Sequence, residues 1–137
     1  MRTFRVDDYE ISEYRTLLML GLSEPRDAGG RDVVFQCDLR TNDYPEVSNW
    51  PEGESYCLTD GRGRTAYGGV STAVFQGPVL RMSFTAKTVS AMGLDEPEWE
   101  FVFDGSDAEL LEVRTRLERI LTCGRPEYRP GVLDLGN

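Results

Sequence analysis

The segment from Ser106 to Thr122 has the clearest periodicity in the chain and most constrains how the chain can fold. Its leucine, valine and isoleucine residues recur at helical spacing, which predicts an amphipathic helix with one apolar face. Ser106 and Glu109 form an S-x-x-E capping box at its start, while Gly124 and Pro126 end it. Because a helix of this kind buries its apolar face against another layer, the rest of the chain should supply that layer.

Most of the remaining chain consists of short runs in which apolar and polar residues alternate, as in half-buried strands. Such runs are predicted at Thr3–Val6, Arg15–Leu20, Val33–Leu39, Ser55–Thr59, Thr65–Phe75, Val79–Phe84 and Glu98–Phe103. The fourth and fifth runs flank a glycine-rich turn and are expected to form a hairpin. Ala86–Met92 is expected to be a short helix ended by Gly93. The predicted fold is α+β, a curled antiparallel sheet of about six or seven strands packed with one long C-terminal helix and a short helix.

The length of 137 residues suits one domain spanning residues 1–137, with residues 123–137 as an irregular C-terminal tail. The predicted core consists of Leu80, Met82, Phe84, Trp99, Phe101, Phe103, Leu110, Leu117 and Leu121. No apolar run approaches the length of a membrane span, and the first residues lack the pattern of a secretory signal. A cytoplasmic location is therefore expected.

The charge balance excludes several function classes. Asp and Glu number 24 against 15 Lys and Arg, for a net charge of −9. Such a chain would be repelled by nucleic acid and by anionic membrane surfaces. It also contains no histidine, which excludes histidine-based catalysis and histidine zinc sites. We therefore expect no metal site, no cofactor and no catalytic residue.

The cysteines, Cys37, Cys57 and Cys123, are odd in number and widely spaced, without a C-x-x-C pair. This pattern does not predict a disulfide framework. Cys37 and Cys57 are expected to be small apolar residues in strands, the alternative being a single bridge between these two. Free thiols favour a reducing cytosol.

Two further motifs suggest chemistry but have structural explanations. The glycine-rich stretch Gly61–Gly69 matches neither the P-loop nor the dinucleotide-binding signature, and it does not begin a predicted helix. A tight turn followed by a strand is therefore expected, with Gly68 and Gly69 at a bulge or at a close contact with a neighbour. Acidic pairs such as Asp7-Asp8 are expected to solvate the surface instead of performing acid–base catalysis. The sequence therefore predicts a protein that is not an enzyme.

Part of the chain resembles a known family. The resemblance begins with Tyr-Cys-Leu-Thr-Asp at residues 56–60 and Arg-Thr-Ala-Tyr-Gly-Gly-Val at residues 64–70. It continues through the strand at 80–85, the helix end at 91–94, the strand at 98–103 and the helix at 110–121. Over residues 54–122 the chain resembles the immunity protein 10 family of bacterial polymorphic toxin systems.

The resemblance implies a small cytoplasmic α+β protein, encoded beside a toxin, that binds and neutralises this cognate toxin without catalysis. A nuclease with a basic cleft would suit an acidic partner of this kind. Two alternatives stay open: a small acidic regulatory or adaptor domain that binds another cationic protein, and an enzyme for small molecules that depends on carboxylates or a metal.

The loop at residues 42–54 is the candidate toxin-binding region. Acidic residues surround two aromatic residues there, and aromatic residues inside a polar rim are typical of binding hot spots. The predicted toxin-binding residues are Asp43, Tyr44, Glu46, Trp50, Glu52 and Glu54. The alternative is that Trp50 covers one end of the sheet.

Overall fold

Residues 1–136, which the computed structural model describes, contain ten β-strands and two α-helices. The strands are β1 Arg2–Arg5, β2 Asp8–Tyr14, β3 Leu17–Ser23, β4 Asp32–Asp38, β5 Cys57–Asp60, β6 Thr65–Tyr67, β7 Val70–Gln76, β8 Val79–Phe84, β9 Glu98–Val102 and β10 Val132–Asp134. The helices are α1 Ala86–Met92 and α2 Asp107–Leu121. Short 3-10 turns occupy Arg26–Ala28, Leu39–Asp43, Pro51–Glu54 and Pro126–Tyr128.

The strands form two five-stranded sheets instead of one. Sheet A has the order β1-β9-β8-β7-β10 and is mixed, because β1 lies parallel to β9 and β10 lies parallel to β7. Sheet B has the order β2-β3-β4-β5-β6 and is antiparallel throughout. The predicted α+β class with one long and one short helix is confirmed. The prediction of a single curled antiparallel sheet of six or seven strands is wrong.

The two sheets separate at Gly68 and Gly69, inside the run that was expected to be one strand. Both glycines have positive φ angles, 65° and 93°, a conformation that L side chains rarely adopt. A Cβ on Gly69 would overlap the hydroxyl of Thr88 in α1. The chain therefore leaves sheet B after β6 and enters sheet A at β7. The close contact that was expected at these glycines is present, and it lies where the chain crosses from one sheet to the other.

The core lies between the inner faces of both sheets and the apolar face of α2. Phe35 of sheet B contacts Phe101 of sheet A, with ring centroids 6.3 Å apart, and α2 packs against β3 and β4. All predicted core residues are buried, in one cluster that draws on both sheets. The single-domain organisation of residues 1–137 stays a prediction.

The capping box at the start of α2 is present. The Glu109 amide donates to Ser106 Oγ over 3.2 Å, and the Ser106 amide donates to Glu109 Oε1 over 3.1 Å. We expect Ser106→Ala to lower the free energy of unfolding by about 1 kcal/mol, because it leaves a first-turn amide without its acceptor. Urea unfolding checks this, with Asp107→Ala as the control. A larger effect at Asp107 would contradict the assignment of Ser106 as the N-cap.

Two strands escaped prediction. In β2, most of the exposed residues are acidic, and one of them, Glu13, lies on the inner face. The run therefore shows little alternation of apolar and polar residues. The segment 123–137 is not simply irregular, since it contains β10 and the turn at Pro126–Tyr128; its last residue, Asn137, lies outside the described residues. Leu135 in this segment is buried in the core.

The structure contains a disulfide between Cys37 and Cys123, whose Cα atoms lie 6.4 Å apart. The expectation that these two thiols are free is wrong, and so is the alternative bridge between Cys37 and Cys57. Cys57 pairs with Gln36, the neighbour of Cys37 in β4. Because successive residues of a strand point to opposite faces, Cys57 lies on the other side of the sheet and stays a free thiol. The disulfide connects β4 to the segment that follows α2.

Candidate functional site

The predicted binding loop connects β4 to β5 and contains no strand, as expected. Asp38, the last residue of β4, fixes its start by accepting hydrogen bonds from the Arg40 amide over 3.0 Å and from the Thr16 hydroxyl over 2.8 Å. The Arg40 guanidinium also donates to this carboxylate. These bonds, first of all those from the Arg40 side chain, outweigh partial burial and hold the pKa of the Asp38 carboxyl far below its ordinary value. The loop therefore starts from an ordered turn.

Arg125, from the segment after α2, holds the loop together from inside. Its side chain is buried, with Nε donating to Glu54 Oε2 over 2.7 Å and Nη2 donating to the Pro45 carbonyl over 2.6 Å. The guanidinium carbon lies 4.5 Å from the centroid of the Tyr44 ring. One cation thus connects Tyr44 and Pro45 to Glu54 at the end of the loop, so Tyr44 and Glu54 are structural partners of Arg125 and only partly exposed.

Backbone contacts support the same docking. The Gly124 amide donates to Asn42 Oδ1 over 2.8 Å, and the Arg125 amide donates to the Glu54 carbonyl over 2.9 Å. Gly124 has a φ of 81°, and a Cβ there would overlap the backbone of Glu54 and Ser55. Only glycine allows the two chain segments to approach this closely.

The two glutamates at the end of the loop are engaged within the protein. A hydrogen bond from Ser48, assisted by Arg125, keeps the pKa of the Glu54 carboxyl below its ordinary value, although burial opposes this. The stability that this lowered pKa provides is present at neutral pH and is lost as the pH falls through it. Glu52 forms an ion pair with Lys87 of α1. These two carboxylates therefore stabilise the conformation of the loop and are less available to attract a cationic partner.

Asp43 and Glu46 differ from the other two acids of the loop. Both side chains are exposed, and neither has an ion pair or a hydrogen-bond partner within residues 1–136. Their charges are therefore directed to solvent without a neutralising neighbour. Such carboxylates can act on an approaching cationic surface.

Trp50 is exposed over 55% of its surface. Its ring packs over Gly53 and meets the ring of Tyr67 edge to face, with centroids 4.8 Å apart. Tyr67, which is 39% exposed, lies in β6 beside buried Ala66, and this alternation is the sequence signal that could have identified it. The structure thus brings Trp50 together with Tyr67, an aromatic residue outside the predicted binding loop.

The glycine-rich turn after β5 is the tight turn that was expected. The Asp60 carboxylate accepts hydrogen bonds from the amides of Arg62 and Arg64, over 2.8 and 3.0 Å. Burial raises the pKa of Asp60, but these bonds outweigh it and leave the pKa below its ordinary value. The amides that a phosphate would need are therefore already occupied by a carboxylate.

A cavity of about 490 Å³ lies next to this turn. Its lining includes Arg31, which is paired with buried Glu24, and Arg64, which is paired with Asp60.

Among the described residues, no cluster of three or more Cys, Asp or Glu side chains could hold a metal ion. None of the helices in residues 1–136 combines the length and apolar character needed to span a bilayer.

Comparison with known families identifies the chain's relatives. The model of the immunity protein 10 family matches residues 4–111. The chain belongs to this family. The resemblance seen in the sequence is confirmed, and the match extends it through the N-terminal half, including the candidate loop. Comparisons with curated proteins and with solved structures gave no match.

Membership in the immunity protein 10 family implies toxin neutralisation and a cognate toxin as partner, and proteins of such families are typically not enzymes. The match ends inside α2. Cys123, Gly124 and Arg125, which hold the loop of this immunity protein in place, lie beyond the matched residues.

Proposed function

We propose that this immunity protein neutralises its cognate toxin by binding and occluding it, without catalysis, through the loop at residues 42–54. One observation carries the proposal: an ordered loop exposes Trp50, whose ring meets that of exposed Tyr67, and the same loop carries the unpaired carboxylates of Asp43 and Glu46. The loop is held in place by the contact of Glu52 with Lys87 and by the contacts of Glu54 and Tyr44 with Arg125. The predicted toxin-binding residues thus have two roles, contact and support.

Order in the free loop favours tight binding. Because Arg125 and Gly124 already fix the loop, its backbone would lose little conformational freedom when the toxin binds. An aromatic pair can then supply contact area, while charged residues around it exclude mismatched partners.

The charge indicates the chemistry of the toxin surface. A net charge of −9 attracts a basic surface and accelerates association at low salt. Nucleases bind phosphates through such surfaces, so a nuclease with a basic cleft is the class of toxin that we propose. An acidic adaptor domain binding another cationic protein remains the alternative function.

We also propose a cytoplasmic location, which now rests on the family alone. A protein that protects the producing cell must meet toxin that reaches or remains in the cytoplasm. The cysteines do not support this location, because Cys37 and Cys123 form a disulfide, and disulfides are rare in reducing compartments.

Reversing Asp43 and Glu46 to lysine should slow association with the toxin encoded by the neighbouring gene about tenfold at low salt, with a smaller change in dissociation. The melting temperature should stay nearly unchanged, because both side chains are exposed and neither has a hydrogen bond or an ion pair within residues 1–136. Stopped-flow or surface plasmon resonance across a salt series measures both rates.

The matched control is Glu98→Lys with Asp104→Lys, which changes the net charge equally at exposed positions outside the loop. A general charge effect would slow association equally in both double variants. If the Asp43 and Glu46 variant still associates at the wild-type rate and protects cells, the loop is not the docking site.

A further inference from the structure

The outer face of sheet B is turned away from the core. Its residues follow from the strand register and are Asp8, Glu10, Ser12, Tyr14, Leu17, Met19, Gly21, Ser23, Asp32, Val34, Gln36, Asp38, Cys57, Thr59, Thr65 and Tyr67. None of them is buried, whereas most inner-face residues of β3 and of the central strand β4 are. The residues of this face are thus half-buried or exposed.

This face carries uncharged side chains in the middle, several of them apolar, and acidic side chains at its margins. A row of paired residues crosses all five strands, running Ser12, Met19, Gln36, Cys57 and Tyr67. Every charged residue of the face is acidic, namely Asp8, Glu10, Asp32 and Asp38. Uncovered sheet faces that only meet water usually carry polar residues at these positions.

Sheet A provides the contrast within the same molecule. On its outer face Arg81 lies beside Glu100, with N···O 4.0 Å, and the Thr3 hydroxyl donates to the same glutamate over 3.0 Å. Charges of both signs therefore neutralise each other on sheet A. On the outer face of sheet B, Asp38 is paired with Arg40, but Asp8 and Glu10 have no basic partner within residues 1–136, and methionine, valine and leucine lie beside them.

The outer face of sheet B is continuous with the binding loop. Tyr67 belongs to the face through its pairing with Cys57, and its ring contacts Trp50 of the loop at 4.8 Å. Strand spacing and rise give this face dimensions of about 20 Å in each direction, or an area of about 400 Å². This is about half of the ~800 Å² that a standard interface buries on each partner. The loop supplies additional area next to it.

We propose that the cognate toxin docks across the outer face of sheet B as well as the loop, with a surface that is uncharged at its centre and basic around it. This inference rests on the proposed function. A second copy of the chain is a poor occupant, because two acidic faces on molecules of net charge −9 repel each other. Nucleic acid is excluded by the same charge.

Cys57 offers a direct probe, because it lies in the central row and is the free cysteine of the chain. Burial raises the pKa of its thiol, so labelling with iodoacetamide is best measured near pH 8.5, without reductant. Saturating toxin should slow labelling of Cys57 at least tenfold. The control is Cys57→Ser with Ser83→Cys, which moves the thiol to the outer face of sheet A and whose labelling toxin should leave unchanged.

A second variant tests the same face without a thiol. Met19→Arg places a cation in the central row, where it would oppose a basic toxin surface, and should raise the dissociation constant at least tenfold. Val74→Arg on the outer face of sheet A is the matched control and should bind like the wild type. Circular dichroism confirms that each variant is folded, and the labelling result stands if Met19→Arg is not.

The outcomes separate the two proposals. If the wild-type chain forms no complex with the toxin in gel filtration, the proposed function and this inference both fail. If the complex forms but Cys57 labels at the free rate and Met19→Arg binds normally, only this inference fails. Protection of Cys57 that depends on the chain's own concentration, without toxin, would identify a second copy as the occupant and would also overturn it.

Discussion

Removing the Cys37–Cys123 disulfide should lower the free energy of unfolding by about 2–5 kcal/mol. The bridge spans 86 residues of sequence, so it restricts a large part of the unfolded chain, and the stabilisation of a cross-link grows with the length of the loop it closes. The measurement is urea unfolding of the wild type with and without dithiothreitol, together with the variant in which both cysteines are alanine. Cys57→Ser is the control and should respond to dithiothreitol like the wild type.

The same reduction should affect toxin binding. Cys123 directly precedes Gly124 and Arg125, which fix the loop at residues 42–54. Reducing the disulfide gives this segment more conformational freedom. The complex with the toxin should then dissociate faster, because ordering the loop on binding costs more conformational entropy. An unfolding midpoint that does not move with dithiothreitol would contradict a stabilising role for the bridge.

Leu117→Ala should lower the free energy of unfolding by about 2–5 kcal/mol, since it removes a fully buried side chain and leaves a cavity between α2 and the sheets. Leu111→Ala in the same helix is the matched control. Leu111 is 54% exposed, so its replacement should change stability by less than about 0.5 kcal/mol.

Comparing the two alanine variants separates packing from helix propensity, because both make the same chemical change within one helix. Urea midpoints with a common m-value give the difference directly. Equal midpoints for the two variants would mean that Leu117 does not carry the core contact between α2, β3 and β4.

The local elements were predictable because their signals lie within a few residues. The capping box and apolar stripe of α2, the glycine that ends α1, and the alternation of Leu80, Met82 and Phe84 each reflect local geometry. Edge strands gave weaker signals. Strand β2 has only a partly buried inner face, and β10 is three residues long, so neither contains enough apolar alternation to be recognised.

The candidate site was predictable in part. Composition and turn residues identified residues 42–54 as a loop in which acids surround aromatic residues. The roles of those residues depend on partners far away in sequence: Arg125 holds Tyr44 and Glu54, Lys87 holds Glu52, and Trp50 meets Tyr67. Nothing in the loop's own sequence distinguishes a carboxylate that is paired from one that is free.

The sequence by itself determined which residues face the core, where the helices begin and end, and which family the chain belongs to. Only the tertiary structure decided that there are two sheets, that β1 pairs with β9 and β10 with β7, and that Cys37 meets Cys123. The physical reason is that periodicity reports whether a side chain is buried but not which strand lies beside it. Pairing between distant segments depends on how all the apolar faces pack together, and here two positive-φ glycines after β6 turn the chain into the second sheet.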